Sequence, residues 1–287
     1  MQIHRKLETL LLSPLGLFLA ATVVLPAFIL FGYSLFLWRF LEPVGALTFE
    51  NYSESLTAPV SRQLVINTLL IGVPTTIASV VGGYALAYYS VFGTGRGRRL
   101  LFALIVTALM ASYLVRIYAW RTLLGENGIV NSGLEALGLI GAPLQFLLFS
   151  RPAAILAEVS LFMPLAALAF YAALAGISPD YREASRDLGA GRGETLLRVT
   201  LPLTGPAILG TVVLTFFLSA GDYVTPVLVG GGGSSTVGTA IATKMGPAGD
   251  YGSGAADSFL VLMGFVFIYL VLRAAMRAGR ILPERAA

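Results

Sequence analysis

Three ionisable side chains stand inside otherwise apolar stretches of this chain: Arg116, Glu158 and Asp222. Such groups are costly in apolar surroundings, and they mark either a pair or a site. Two readings are open. In the first, Arg116 and Glu158 form a structural ion pair and Asp222 reaches the outer water. In the second, all three line the outward end of a polar path whose net charge of −1 suits a cation. The similar depth of Arg116 and Glu158 favours the pair. Asp222, beside Tyr223, is then the better path residue. Gly221 and Pro226 imply irregular backbone there, which membranes tolerate only where protein or a cavity covers it.

Other chemistry is scarce. The chain has no cysteine, which excludes disulfides, iron–sulfur clusters and thiol catalysis. A single histidine, His4, leaves no cluster for a metal. No nucleophile stands with a general base, so no catalytic residues are assigned and no metal or cofactor is expected on this chain. A phosphate-cradling loop needs a lysine after glycine. The only lysines, Lys6 and Lys244, follow Arg5 and Thr243. The glycine run Gly230–Gly233 reads as a flexible loop.

The elements that must hold these groups are membrane helices. Of 287 residues, 56% are hydrophobic and 12% are charged. Soluble domains carry about 25% charged residues, so about half the usual charge is missing. A span needs roughly 20 mostly apolar residues. Six runs qualify, at about 10–38, 64–90, 100–123, 152–176, 205–229 and 255–275. They are continuous rather than alternating, which argues against a β-barrel. The first run is too long for a signal-peptide core and reads as a retained anchor. The fold class is therefore an all-α polytopic membrane protein, a single transmembrane domain over 1–287 in contact with the lipid bilayer.

Sidedness follows from arginine. Thirteen of the nineteen basic residues fall before span one, between two and three, between four and five, or after six. The positive-inside rule then places both termini in the cytoplasm. Trp38, Tyr118 and Trp120 fall near the outer interface, where amphipathic rings collect. Basic residues are scattered, so nucleic acid is not an expected partner.

The cytoplasmic link 177–204 reads as folded. Ser178-Pro179-Asp180 is a helix start, with a capping serine, proline at the first position and an acid in the first turn. Tyr181 to Leu188 can be helical, and Gly189 suits a left-handed stop. After Gly191 and Gly193 a second helix runs from Glu194 to Leu201, and Pro202 is expected to close it. Arg182 with Arg186, and Glu183 with Asp187, are like-charge pairs four residues apart. The first helix thus needs docking for stability. A helix lying on headgroups would suit the arginines but not the acids Asp180, Glu183 and Asp187.

Glu183-Ala184-Ser185, three residues, Gly189, nine residues, then Val199-Thr200-Leu201-Pro202 resembles the EAA loop of ABC-importer permeases. Ser185 stands for alanine and Val199 for isoleucine in that pattern. Further along, Arg116-Ile117-Tyr118-Ala119-Trp120 with Leu123-Leu124-Gly125 resembles the spermidine/putrescine-type permeases. So do Gly128, Asn131 and Gly138, and Gly221-Asp222-Tyr223-Val224-Thr225-Pro226 running into Gly230-Gly231. The resemblance implies a type I ABC importer permease fold. It implies that Glu183, Ala184 and Gly189 couple the chain to an ATPase dimer, which would carry the ATP and Mg. It also implies a second, different permease subunit, a periplasmic solute-binding protein, a bacterial inner-membrane location, and a polyamine or related small solute as cargo. An ion-coupled secondary transporter is the alternative, although no internal repeat is visible and the charges sit off-centre. A membrane-embedded enzyme would need more than one Arg, one Glu and one Asp.

Overall fold

The computed structural model describes residues 14, 16–39 and 41–278. His4, the basic residues at 5, 6, 280 and 285, and the start of the first predicted span lie outside them. The regular structure of the described residues is helical, apart from one short hairpin, and forms two compact units.

The first unit holds residues up to Arg62 together with Ala240–Met263. Its first helix, α1 (Gly16–Ser34), is apolar enough to span a membrane, and its flanks are unburied within the chain. It ends at Ser34, four residues short of the sequence expectation. Trp38 therefore sits in strand β1 (Leu37–Arg39), paired antiparallel with β2 (Glu42–Val44). Trp38 packs on Tyr33 and edge-on to Tyr251, so it is a packed residue. Helix α2 (Glu50–Thr57) is tied down by Asn51, whose amide donates to the carbonyls of Ser34 and Phe36 at 2.9 and 2.8 Å. Asp257 accepts from Ser55 at 2.5 Å and from Lys244 at 2.6 Å, a buried charge with its partners in place.

The second unit holds Gln63–Thr239 and the chain from Gly264 onward. It carries most of helix α3 (Pro59–Phe92), then α4 (Arg96–Met110), α5 (Tyr113–Leu124), α6 (Ile129–Ala136) and α7 (Arg151–Ala175). Next come α8 (Pro179–Asp187), α9 (Arg192–Leu203) and α10 (Gly205–Gly221). Helices α11 (Val237–Met245) and α12 (Tyr251–Ala278) cross from one unit to the other. Ser150 caps α7 by accepting the Ala153 N–H, with Pro152 in the first turn. Its inner face buries Ala153, Ala157, Leu161, Ala166, Phe170 and Leu174.

Small residues bring α3 and α7 close, as membrane helices require when lipid competes for every apolar face. A Cβ built on Gly83 would lie 2.8 Å from the Ala166 Cβ and 2.9 Å from the Ala167 backbone nitrogen. Gly83→Ala is therefore expected to lower the unfolding midpoint of the detergent-solubilised protein, in line with about 1–3 kcal/mol for overpacking. Gly210→Ala, on α10 where nothing lies within 4 Å, should leave that midpoint unchanged or raise it. Heating followed by size-exclusion chromatography reads both.

Four helices are long and apolar enough to cross a membrane on their own: α1, α3, α7 and α12. The other two predicted spans are bent. Helix α4 and the α5–α6 segment meet at 100°, and α9 meets α10 at 71°. The expected straight helix over 100–123 is thus broken at Ala111 and Ser112, whose ψ angles of 133° and 140° are extended. The expected span 205–229 stops at Gly221 and resumes as a widened turn over Pro226–Gly230.

Candidate functional site

The two broken spans meet at their breaks. Asp222 follows the last turn of α10 in extended conformation and is 8% exposed. Its carboxylate faces forward along the chain. Oδ1 accepts the N–H groups of Val224 (2.8 Å) and Thr225 (3.2 Å), and Oδ2 accepts the Thr225 hydroxyl at 2.5 Å. This is an N-cap for the turn that carries Pro226. Tyr113, the first residue of α5 after the other break, donates its hydroxyl to Asp222 Oδ1 at 2.6 Å. The expectation that Asp222 reaches outer water is corrected: its oxygens are held by these four donors. The exposed groups here are Tyr223, at 51%, and Tyr113, at 37%.

The expected Arg116–Glu158 pair is also corrected. Arg116 donates to the carbonyls of Ser160 (3.1 Å), Ala111 (3.3 Å) and Ala108. The last two are carbonyls that the α4 break leaves without helical partners. The guanidinium thus closes its own break. Among the described residues the ion pairs are Glu194–Arg198 and Lys244–Asp257. Glu158, with no exposure at all, accepts the Ser219 hydroxyl through Oε2, while its Oε1 has no hydrogen-bond partner. Of the buried hydroxyls on α3, that of Thr75 faces Glu158, and those of Thr76 and Ser79 are unpartnered. Trp120 turns inward and donates to Ser160 Oγ at 2.7 Å.

The loop 177–204 is folded. Ser178 Oγ accepts the Asp180 N–H at 3.4 Å, and Pro179 opens α8. The helix ends at Gly189 with φ +84°. Gly189 N–H bonds Arg186 O, and Ala190 N–H bonds Ser185 O. That pair of bonds is the Schellman stop, which needs a left-handed residue. Ser185, one of the two departures from the EAA pattern, is buried and its hydroxyl lies 3.1 Å from that of Thr195 on α9. The two helices flank a cleft of about 450 Å³ lined by Tyr181, Ala184, Ser185, Leu188, Gly189, Glu194, Arg198 and Val199, among others. Leu188 is 89% exposed at its mouth.

Pro202 does not close α9. The helix runs through Leu201 and Pro202 to Leu203 because its turn widens over Leu196–Thr200, where Leu201 N–H bonds Leu196 O. The wider turn accommodates a ring that would otherwise meet the carbonyl four residues back.

The sequence marks Thr225 only as part of the permease-like stretch 221–226, and Tyr113, Ser219 and Thr75 not at all. Asp222 followed three residues later by Thr225-Pro226 is a legible cap signature. The others carry no local signal.

A chain with paired broken spans, a polar interior at the breaks and a folded two-helix loop has the architecture of an importer permease. Residues 64–285 match the family described as "Binding-protein-dependent transport system inner membrane component". The chain belongs to that family and is a permease of a binding-protein-dependent ABC importer. It is 30% identical to the inner membrane ABC transporter permease protein YdcU of Escherichia coli (strain K12), over 92% of this chain and 90% of that one. It is 32% identical to the spermidine/putrescine transport system permease protein PotB of Haemophilus influenzae, over 78% of each chain. Its backbone matches a chain of a bacterial alginate ABC transporter, solved with an alginate pentasaccharide-bound periplasmic protein, with a TM-score of 0.80 at 18% identity, covering 99% of this chain and 98% of that one. Family membership removes the secondary-transporter and enzyme alternatives.

Proposed function

We propose that this chain forms, with a second and different permease subunit, the translocation path for a polyamine or a related small organic cation. A periplasmic binding protein delivers the cargo across a bacterial inner membrane. An ATPase dimer, holding all the ATP and Mg, docks on the loop 177–204 through Glu183, Ala184, Ser185 and Gly189. Val199, Leu201 and Pro202 fix the second helix behind them. The spans and this loop act as one permease domain with both termini in the cytoplasm.

The observation that carries the reading is the loop itself: a polar, partly unpaired helix with an exposed Leu188, set on a glycine stop in a chain that has no phosphate loop of its own. The cargo reading rests on the PotB relatives and on two acids, Asp222 and Glu158, that no basic side chain pairs with among the described residues. A path between two permeases is lined by residues that one chain alone leaves exposed. Tyr223 and Tyr113 meet that condition; Asp222 acts from behind Tyr113, Arg116 braces the break, and Glu158 lies deeper. ATP binding biases the two-state permease outward, and hydrolysis resets it.

Purification of the tagged chain from its own host tests the reading. An ATPase subunit and a second permease are expected in the same size-exclusion peak, and vesicles carrying the complex should accumulate radiolabelled spermidine or putrescine. A chain that purifies alone would end the docking assignment, and an active complex indifferent to both amines would end the cargo assignment.

A further inference from the structure

Arg182 lies on α8, beside Glu183, yet it pairs with no acid among the described residues. Its guanidinium carbon sits 3.7 Å from the centroid of the Phe92 ring, the last residue of α3, and its Nε is buried without a hydrogen-bond partner. A guanidinium that takes a ring face rather than water or a neighbouring carboxylate is held by that face. Phe92 does not stand alone. It meets Tyr88 edge-on at 5.0 Å, and one turn further Tyr84 meets Phe170 of α7 at 5.1 Å. Residues 84, 88 and 92 recur every four positions and share one face of α3. Tyr84 also hydrogen-bonds Thr204 at the α9–α10 bend, with oxygens 3.1 Å apart. The end of α3 is therefore tied to α8 through Phe92 and to the α9–α10 bend through Tyr84.

We infer that Arg182 is a positioning residue that transmits displacement of α8 to α3 through Phe92 and the aromatic face above it. The inference rests on the ATPase-docking reading of the loop. Arg182 lies outside the EAA pattern, so the resemblance assigns it no role. The clamp makes α8 and the last two turns of α3 move as one body, and the aromatic column passes that movement to α7.

Two ring contacts on one helix face are only a route until coupling is measured. Hydrogen exchange supplies the measurement on the complex purified from its host, with and without trapping by ATP, Mg and vanadate. In the wild type, trapping should change exchange in both 179–187 and 84–92. In Arg182→Ala the ATPase subunit should still co-purify and 179–187 should still respond, while the response of 84–92 is lost. Phe92→Leu, outside the loop and without a ring, should reproduce that loss, and Phe92→Tyr should restore the response. Persistence of the 84–92 response in both Arg182→Ala and Phe92→Leu would overturn the inference. A wild-type complex without an ATPase subunit would overturn the docking reading, and the inference with it.

Discussion

Asp222→Ala is expected to reduce solute uptake at least tenfold and to lower the thermal midpoint of the solubilised complex, whereas Asp222→Asn should keep the midpoint close to wild type. Alanine strips the acceptor from two backbone N–H groups and two hydroxyls at once. Each buried donor left unpaired costs about 1–3 kcal/mol, and a tenfold change in a rate or equilibrium needs only about 1.4 kcal/mol. Asparagine keeps one oxygen to cap Val224 and Thr225, replaces the other by an NH2 from which the rotatable Thr225 hydroxyl can accept, and removes the charge. Its uptake therefore separates capping from passage. If the charge acts on a cationic solute through Tyr113, Asp222→Asn should transport poorly while folding well. Wild-type uptake by Asp222→Asn, at matched expression, would take Asp222 out of the path and leave it as a cap.

Gly189→Val should reduce both ATPase co-purification and uptake at least tenfold, with Gly189→Ala intermediate and Gly189→Asn within about twofold of wild type. The position has φ +84°, and a built Cβ meets nothing within 4 Å. Bulk is therefore no obstacle and backbone conformation is the only one. Left-handed backbone costs an ordinary residue about 1–2 kcal/mol, least for asparagine and most for a β-branched side chain. Relief of that strain would unwind the Schellman stop and swing α8 away from α9. The order Asn, Ala, Val tests conformation against size, since a steric effect would rank alanine above asparagine.

The sequence made the loop legible because its signals are local. Ser178, Pro179 and Gly189 each act on the residues beside them, and the structure places cap, first turn and stop where they fall. The apolar runs were legible for the same reason. The break at Ala111–Ser112 was not, since neither glycine nor proline marks it; it is held by Arg116, whose side chain returns to carbonyls five and eight residues earlier. Depth along the helix suggested that Arg116 and Glu158 should pair. Depth says nothing of rotation about the axis, and the two groups turn to different partners. At Asp222 the charge drew attention outward, while the Thr225-Pro226 that follows already described a helix start. Pro202 was expected to stop α9 because a proline usually does. A single widened turn admits it instead.

That widened turn has a mechanical consequence. Pro202 has no amide hydrogen to offer, so one carbonyl behind it is left without a ladder partner. Flexing α9 at this point loads one backbone bond fewer than a regular helix would, although the Leu201 N–H to Leu196 O and Thr204 N–H to Thr200 O bonds still cross it. A stretch one backbone bond short bends more easily than the helix on either side of it, and here the shortage is written into the covalent chemistry of a single ring.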